Sequence, residues 1–149
     1  MWKNIFKTKL NNWICQIWTI LTLDSTEIAE IIWFSWFDWV FIDMEHSSLD
    51  FSKVKNIIQT IDNSCSTLIR IPSNHEYFFK KALDLWCDWV IVPQVNNITE
   101  AIDSVNFSKY PPMWKRSVWI SRAHSYWLKF NEYINNANND ISLIIQIES

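Results

Sequence analysis

FDWVFIDMEHSS, residues 37–48, is the stretch of this 149-residue sequence that most directly indicates its fold. The apolar run Val40–Ile42 is rich in β-branched and aromatic residues and is closed by polar ones, which is typical of a buried parallel strand. Three ionisable side chains follow at its carboxyl end: Asp43, Glu45 and His46. In α/β barrels and open sheets, ligands lie beyond the carboxyl ends of such strands. The stretch therefore predicts an active site in which Asp43 orients His46.

Apolar runs elsewhere in the chain predict four more strands, at residues 14–23, 67–71, 88–93 and 141–147. Amphipathic segments between the strands predict four helices with the N-caps Asp24 (with Glu27 at N3), Asp50, Asn74 and Asn97. Residues 107–140 are more polar, and a connection of that length usually carries structure or function of its own. Strands that alternate with helices indicate βα units and a parallel sheet, here within a single domain over residues 1–149.

Charge and composition argue against several classes of partner. The net charge of -3 and the pI near 5.5 disfavour binding to nucleic acid or to an anionic membrane. No apolar run has the length of a membrane span. The three cysteines form no CxxC pair and leave one over, which predicts buried thiols in the reducing cytoplasm.

The sequence contains no glycine but 11 tryptophans. Trp36 and Trp86 follow helix-like runs, at the position where a helix end favours Gly or Asn. Trp114 lies in a turn-like segment after Pro111 and Pro112, where glycine supplies a positive φ without steric cost. We therefore hypothesise that most or all of the tryptophans stand for glycine in the native protein, through a UGA codon that the organism reads as Gly. The alternative is a protein that is truly rich in tryptophan.

Polar side chains follow each of the later strands at its carboxyl end: Asp43, Glu45 and His46, then Arg70, Gln94, Gln146 and Glu148. In a parallel barrel these ends converge on one face. The combination suits deprotonation next to a carbonyl group: a divalent metal on Glu148 polarises the oxygen, Arg70 balances negative charge, and His46 moves the proton. His75 and His124 are interpreted as structural residues.

With tryptophan read as glycine, six segments resemble successive blocks of one enzyme family: QIWTILTLDS, FDWVFIDMEH, LIRIP, ALDLWCDWVIVPQV, YPPMWKRSVW and IIQIE. The family is that of the HpcH/HpaI aldolases, metal-dependent (class II) pyruvate aldolases that include 4-hydroxy-2-oxoheptanedioate aldolase and 2-dehydro-3-deoxyglucarate aldolase. Family glycines match Trp18, Trp36, Trp86, Trp89, Trp114, Trp119 and Trp127. Trp39 matches a position that is often aromatic in relatives, so it is the best candidate for a real tryptophan.

The resemblance implies a (β/α)₈ TIM barrel, usually a cytoplasmic homo-hexamer, that uses Mg²⁺, Mn²⁺ or a similar divalent cation. It implies His46 as the base working with Asp43, Arg70 as the residue that stabilises the enolate, Gln146 as a substrate-binding residue and Glu148 as a metal ligand. The reaction it implies is the reversible aldol cleavage of a 4-hydroxy-2-oxo acid to pyruvate and an aldehyde.

Two departures from the family pattern qualify this resemblance. The family's second metal-ligating Asp follows the next strand, beyond residue 149, and only five of the eight βα units are present. We therefore expect residues 1–149 to be the amino-terminal part of a TIM-barrel aldolase, with doubtful activity on its own. Ile20 lies where some members carry an active-site Trp, so the resemblance does not define the aldehyde pocket. The alternatives are a citrate-lyase-like enzyme that handles pyruvate or an enolate, and a non-catalytic truncated half-barrel that acts as a binding or assembly module.

Overall fold

The centre of the molecule is a five-stranded parallel sheet whose strands follow one another in chain order. A computed structural model describes residues 5–61, 65–112 and 114–148. The strands are β1 (Trp18–Leu21), β2 (Trp39–Asp43), β3 (Ser66–Arg70), β4 (Trp89–Val92) and β5 (Ser142–Ile145). The five predicted strands are confirmed, and because every neighbouring pair is parallel, their carboxyl ends lie at one edge of the sheet.

The described residues contain six α-helices: α1 (Ile5–Asn11), α2 (Thr26–Phe34), α3 (Phe51–Thr60), α4 (Glu76–Asp84), α5 (Ile98–Ser108) and α6 (Phe130–Asp140). A short 3₁₀ helix, Arg122–His124, lies between α5 and α6. The sequence pattern predicts α2 to α5, with the N-caps Asp50 and Asn97 confirmed, but it does not predict α1 or α6. The 3₁₀ helix and α6 supply the structure expected within residues 107–140.

Two predicted N-caps are wrong by one residue. Ser25, not Asp24, caps α2, and its hydroxyl accepts a backbone N–H of the first turn at 3.1 Å. His75, not Asn74, caps α4, and its Nδ1 accepts a backbone N–H at 3.3 Å. In each case two adjacent side chains can accept such a bond, so the direction in which the chain enters the helix decides between them.

The inner strands β3 and β4 are almost completely buried, as expected inside a parallel sheet, whereas the edge strands β1 and β5 are partly exposed. Val40 and Ile42 of β2 belong to the main hydrophobic core, together with residues from helices such as Phe79 of α4. A smaller cluster on β3 and β4 (Leu68, Trp89 and Ile91) includes Phe6 of α1. The Phe6 ring packs edge-on against Trp89 with 4.6 Å between centroids, so α1 is held by burial rather than by helix propensity.

Among the residues that the structure describes, four tryptophans have a left-handed backbone: Trp13, Trp36, Trp86 and Trp127, with φ values of 55°, 61°, 71° and 85°. In this region a Cβ atom clashes with the backbone, so glycine is strongly favoured. Trp36 and Trp86 directly follow the C-caps of α2 and α4. Trp36 is 89% exposed, so burial of its indole offsets little of the free energy that its positive φ costs. These observations support the glycine hypothesis at the four positions.

The cysteines match the prediction of buried thiols only in part. Cys65 and Cys87 are buried, but Cys15 is exposed, which corrects the prediction at that position. No disulfide joins them in the described part of the chain. None of the helices within the described residues has the length and apolarity that crossing a membrane requires.

Candidate active site

Asp43 and Arg70 form the centre of the site. Asp43 is the last residue of β2 and faces Arg70, the last residue of β3, in the strand register. Arg70 donates from Nε to Oδ1 at 2.8 Å and from Nη2 to Oδ2 at 2.6 Å. The side chains are 14% exposed for Arg70 and 2% exposed for Asp43. Two short, parallel, charge-assisted bonds make this a bidentate and nearly buried ion pair.

The loop after β2 is folded around the Asp43 side chain. Its Oδ1 also accepts the backbone N–H groups of Glu45 at 3.0 Å and His46 at 3.3 Å. The Ser47 hydroxyl donates to the Asp43 carbonyl oxygen and closes the turn from the other side. Such a turn is a local consequence of an Asp at the end of a strand. It fixes the backbone that carries Glu45 and His46.

The pair strengthens the ionised state of both partners. Burial opposes ionisation of Asp43, but the hydrogen bonds from Arg70 and from the two loop amides outweigh it and lower the pKa of its carboxyl below the ordinary value. The hydrogen bond to Asp43 raises the pKa of Arg70, with further contributions from the charges of Glu45 and Glu148. The site therefore holds a permanently charged guanidinium among three carboxylates.

His46 projects from the loop into solvent, with 71% of its side chain exposed. Its Nε2 is 3.7 Å from Oε2 of Glu45, whereas Asp43 contacts His46 through the backbone N–H. The sequence spacing predicts that Asp43 orients the imidazole. Within the described residues Asp43 positions the backbone of His46 instead, and Glu45 provides the carboxylate that faces the ring.

Glu45 and Gln94 are more closely built into the site than their sequence positions indicate. The Glu45 side chain is only 8% exposed, and its Oε2 is 3.3 Å from Nη1 of Arg70. Gln94, just after β4, donates from Nε2 to Oε1 of Glu45 at 3.2 Å. Both residues belong to the set predicted at the strand ends, but a sequence pattern alone gives neither of them a role. The signal that could have found Glu45 is its place two residues after a strand-terminal Asp.

Gln146 and Glu148 continue from β5 at the same edge of the sheet. The Gln146 backbone donates to the carbonyl oxygen of Val92 at 2.9 Å, which keeps the chain beside β4. The Gln146 side-chain oxygen is buried and has no hydrogen bond to any described residue. Glu148 is exposed, and its negative charge contributes to the raised pKa of Arg70. The structure thus brings Glu148 and Arg70 to the same side of the molecule.

These residues provide only some of the ligands that a divalent cation requires. The Glu148 carboxylate and the orphaned Gln146 amide oxygen are hard oxygen donors of the type that Mg²⁺ and Mn²⁺ prefer. No group of three or more His, Cys, Asp or Glu side chains that could hold a metal occurs in the described ranges. The donors present fit such an ion, but they account for two ligands at most.

The two remaining histidines have structural roles, as predicted. The His75 ring caps α4. His124 is 1% exposed; its Nδ1 accepts the Trp127 backbone N–H at 2.8 Å, and its Nε2 lies 2.8 Å from the carbonyl oxygen of Trp119. Both ring nitrogens of His124 are therefore used within its own loop.

A family model described as HpcH/HpaI aldolase/citrate lyase matches residues 16–149, which include every residue of the candidate site. The chain belongs to the HpcH/HpaI aldolase/citrate lyase family. The sequence-based recognition is thus confirmed, and so is the α/β fold of a partial TIM barrel, since this HpcH/HpaI chain shares its parallel sheet with solved members.

Individual relatives cover the HpcH/HpaI chain almost completely. It is 34% identical over 132 residues to 2-dehydro-3,6-dideoxy-6-sulfogluconate aldolase of Pseudomonas putida, covering 88% of this chain and 52% of that protein. It is 34% identical over 149 residues to 4-hydroxy-2-oxo-heptane-1,7-dioate aldolase of Salmonella arizonae, covering 99% and 57%. The crystal structure of a family protein from Burkholderia cenocepacia superposes with a TM-score of 0.90 at 26% identity, covering 98% and 60%. The chain spans somewhat more than half the length of these relatives.

Proposed function

We propose that this chain carries part of the active site of a carbon–carbon lyase that cleaves a 4-hydroxy-2-oxo acid reversibly to pyruvate and an aldehyde. The observation that carries the proposal is the guanidinium of Arg70, held by Asp43 at the carboxyl ends of β2 and β3 beside the loop that bears His46. Family membership supports it, since the two relatives named above are aldolases.

Arg70 is suited to stabilise negative charge on a 2-oxo acid. Asp43 occupies Nε and Nη2, and this bidentate pairing fixes the plane of the guanidinium. The donors that remain on Nη1 and Nη2 can reach a carboxylate or an enolate oxygen of the substrate. Preorganised donors of this kind lower the energy of the charge that develops when the carbon–carbon bond breaks.

His46 is the proposed base. The His46 imidazole is exposed at the carboxyl edge of the sheet, where a substrate can approach. It takes the proton from the C4 hydroxyl; the O–H electrons form the aldehyde carbonyl, and the C3–C4 electrons move to the 2-oxo group as an enolate. Protonation at C3 then gives pyruvate. Histidine side chains commonly accept and donate protons near neutral pH in enzyme active sites.

Glu148 and Gln146 are the residues that would hold a divalent cation, such as Mg²⁺ or Mn²⁺. When bound, the ion supplies Lewis-acid polarisation of the 2-oxo group. Its other ligands would come from water, from the substrate or from chain outside residues 1–149. Gln146 would also bind the substrate through its amide group.

We also propose that residues 1–149 form the amino-terminal part of a longer TIM-barrel enzyme that acts as a cytoplasmic homo-oligomer. The open five-stranded sheet and the coverage of 52–60% of relatives support the first part. The absence of disulfides from the described residues fits a reducing compartment.

Exchange of the pyruvate methyl protons with deuterium, followed by proton NMR on the complete gene product, tests this function. We expect exchange with Mg²⁺ or Mn²⁺ that stops on chelation and that falls by about 10²-fold or more in His46→Asn. His75→Asn is the matched control outside the site. Exchange with no aldol cleavage of 4-hydroxy-2-oxo acids would favour a citrate-lyase-like enzyme. If no metal supports exchange, the remaining interpretation is a non-catalytic binding or assembly module.

A further inference from the structure

One carboxylate oxygen lies between the two groups on which the proposed reaction depends. Oε2 of Glu45 is 3.3 Å from Nη1 of Arg70 and 3.7 Å from Nε2 of His46. This oxygen is buried and has no hydrogen bond to any described residue. A buried carboxylate oxygen is unfavourable unless nearby positive charge compensates it. Arg70, and His46 when it is protonated, are the groups placed to do so.

The other oxygen of Glu45 is tied to a third strand. Oε1 accepts a hydrogen bond from Nε2 of Gln94 at 3.2 Å. The Gln94 backbone has a φ of 54°, a conformation that costs free energy for a residue with a Cβ and that persists where its surroundings enforce it. Glu45 is thus connected to the end of β3 through Arg70 and to the end of β4 through Gln94.

The guanidinium of Arg70 is consequently contacted on two sides. Asp43 accepts from Nε and Nη2, and Glu45 faces Nη1. A planar fork held at three nitrogens can present its remaining N–H groups in only one direction. Asp43 alone leaves Nη1 without a partner among the described residues.

We infer that Glu45 is a positioning residue of this site. Its carboxylate fixes the Nη1 side of Arg70 and keeps the imidazole of His46 beside the guanidinium, while Glu45 itself touches no substrate. This role deepens the proposed function and depends on it only for the kinetic part of the test below.

The first part of the test needs no activity. Glu45→Gln keeps the size of the side chain and an oxygen for Gln94, but it removes the charge that faces Arg70. Glu30→Gln removes the same charge from an exposed position on α2 and is the matched control. We expect ¹⁵N NMR to show several-fold faster rotation about the Cζ–Nη bonds of Arg70 in Glu45→Gln only. An unchanged rotation rate in a folded Glu45→Gln protein would overturn the inference.

The second part measures methyl-proton exchange of pyruvate. Glu45→Gln should slow the exchange roughly tenfold, since misplaced groups cost rate without loss of the chemistry itself. Glu45→Asp, which restores the charge one methylene short, should recover part of the rate, although Gln preserves the volume better. Equal rates in Glu45→Gln and Glu30→Gln would refute the role in the reaction. If the wild-type protein shows no exchange, the proposed function fails, and the NMR rotation rates still decide the role of Glu45.

Discussion

Asp43 and Arg70 are register partners on two neighbouring parallel strands, and their side chains close a bidentate ion pair at the carboxyl edge of the sheet. The same carboxylate organises the following loop through two backbone amides. Asp43 therefore links the sheet, the guanidinium of Arg70 and the backbone that carries the proposed base, His46. Changes at Asp43 should affect stability and function together.

Asp43→Asn should destabilise the protein by about 3–5 kcal/mol, because the nearly buried Arg70 charge loses its bidentate partner and keeps only the Glu45 oxygen at 3.3 Å. Urea unfolding followed by circular dichroism measures the difference. Asp24→Asn is the control: its ion pair with Lys53 is exposed and should contribute about 0–1 kcal/mol. Equal losses in the two variants would contradict the importance of the buried pair.

The contribution of Asp43 to stability should depend on pH. Because its pKa is lower in the folded than in the unfolded protein, the unfolded state binds more protons in the acid range. The stabilisation is fully present above the ordinary value of 3.8 and is lost as the pH falls through the folded pKa. Urea unfolding from pH 7 to pH 3 should show the gap between wild type and Asp43→Asn narrowing at the acid end. A constant gap would mean that Asp43 is not the titrating group.

Arg70→Lys should retain the positive charge but lose the planar fork. An ammonium group cannot donate in parallel to both oxygens of Asp43 and also to a substrate oxygen in the same geometry. We expect kcat/KM for aldol cleavage by the complete gene product to fall by about 10²–10³. Arg122→Lys, whose Nη1 donates to a backbone carbonyl of Leu85 away from the site, is the control. A similar small effect in both variants would remove Arg70 from the mechanism.

Trp36→Gly should stabilise the protein by about 1–2 kcal/mol, because it relieves a positive φ at a highly exposed position. Trp39→Gly should do the opposite and destabilise it by at least about 2 kcal/mol. The Trp39 ring stacks on Trp18 with 4.6 Å between centroids and packs against Phe6 at 5.4 Å. Thermal unfolding of the two variants measures both effects.

The native protein, purified from its own source, gives the direct test of the glycine hypothesis. Peptide mass spectrometry should find glycine at positions 13, 36, 86 and 127, where the backbone is left-handed. An intact mass that matches 11 tryptophans would end the hypothesis. The coding DNA should carry UGA at the positions where glycine is found.

Much of the fold follows from local patterns in the sequence. Alternating apolar runs and capping residues place all five strands and the four helices between β1 and the long connection. The pattern fails for α6, whose sequence from Asn135 to Asp140 has five Asn or Asp residues among six and a low helix propensity. Burial of Tyr133 and Ala137 against the core stabilises that helix, and such packing is not visible in a local pattern.

The sequence predicts which polar residues lie at the carboxyl edge of the sheet, but not how their side chains pair. Three-residue spacing favours a contact between Asp43 and the His46 ring, since His46 lies in the short loop that directly follows Asp43. The guanidinium of Arg70, 27 residues away in sequence, lies opposite Asp43 only because β2 and β3 share a register. Arg70 therefore binds the Asp43 carboxylate, and the carboxylate that faces the His46 imidazole is that of Glu45. Contacts across strands depend on register, which single-strand patterns do not contain.

The position of β1 and β5 at the two sides of the described sheet has a practical consequence. Each presents one row of peptide groups that no described strand covers, and such rows recruit strands from other molecules. Recombinant protein of residues 1–149 is thus at risk of aggregation or of domain swapping. Light scattering during purification would reveal this behaviour.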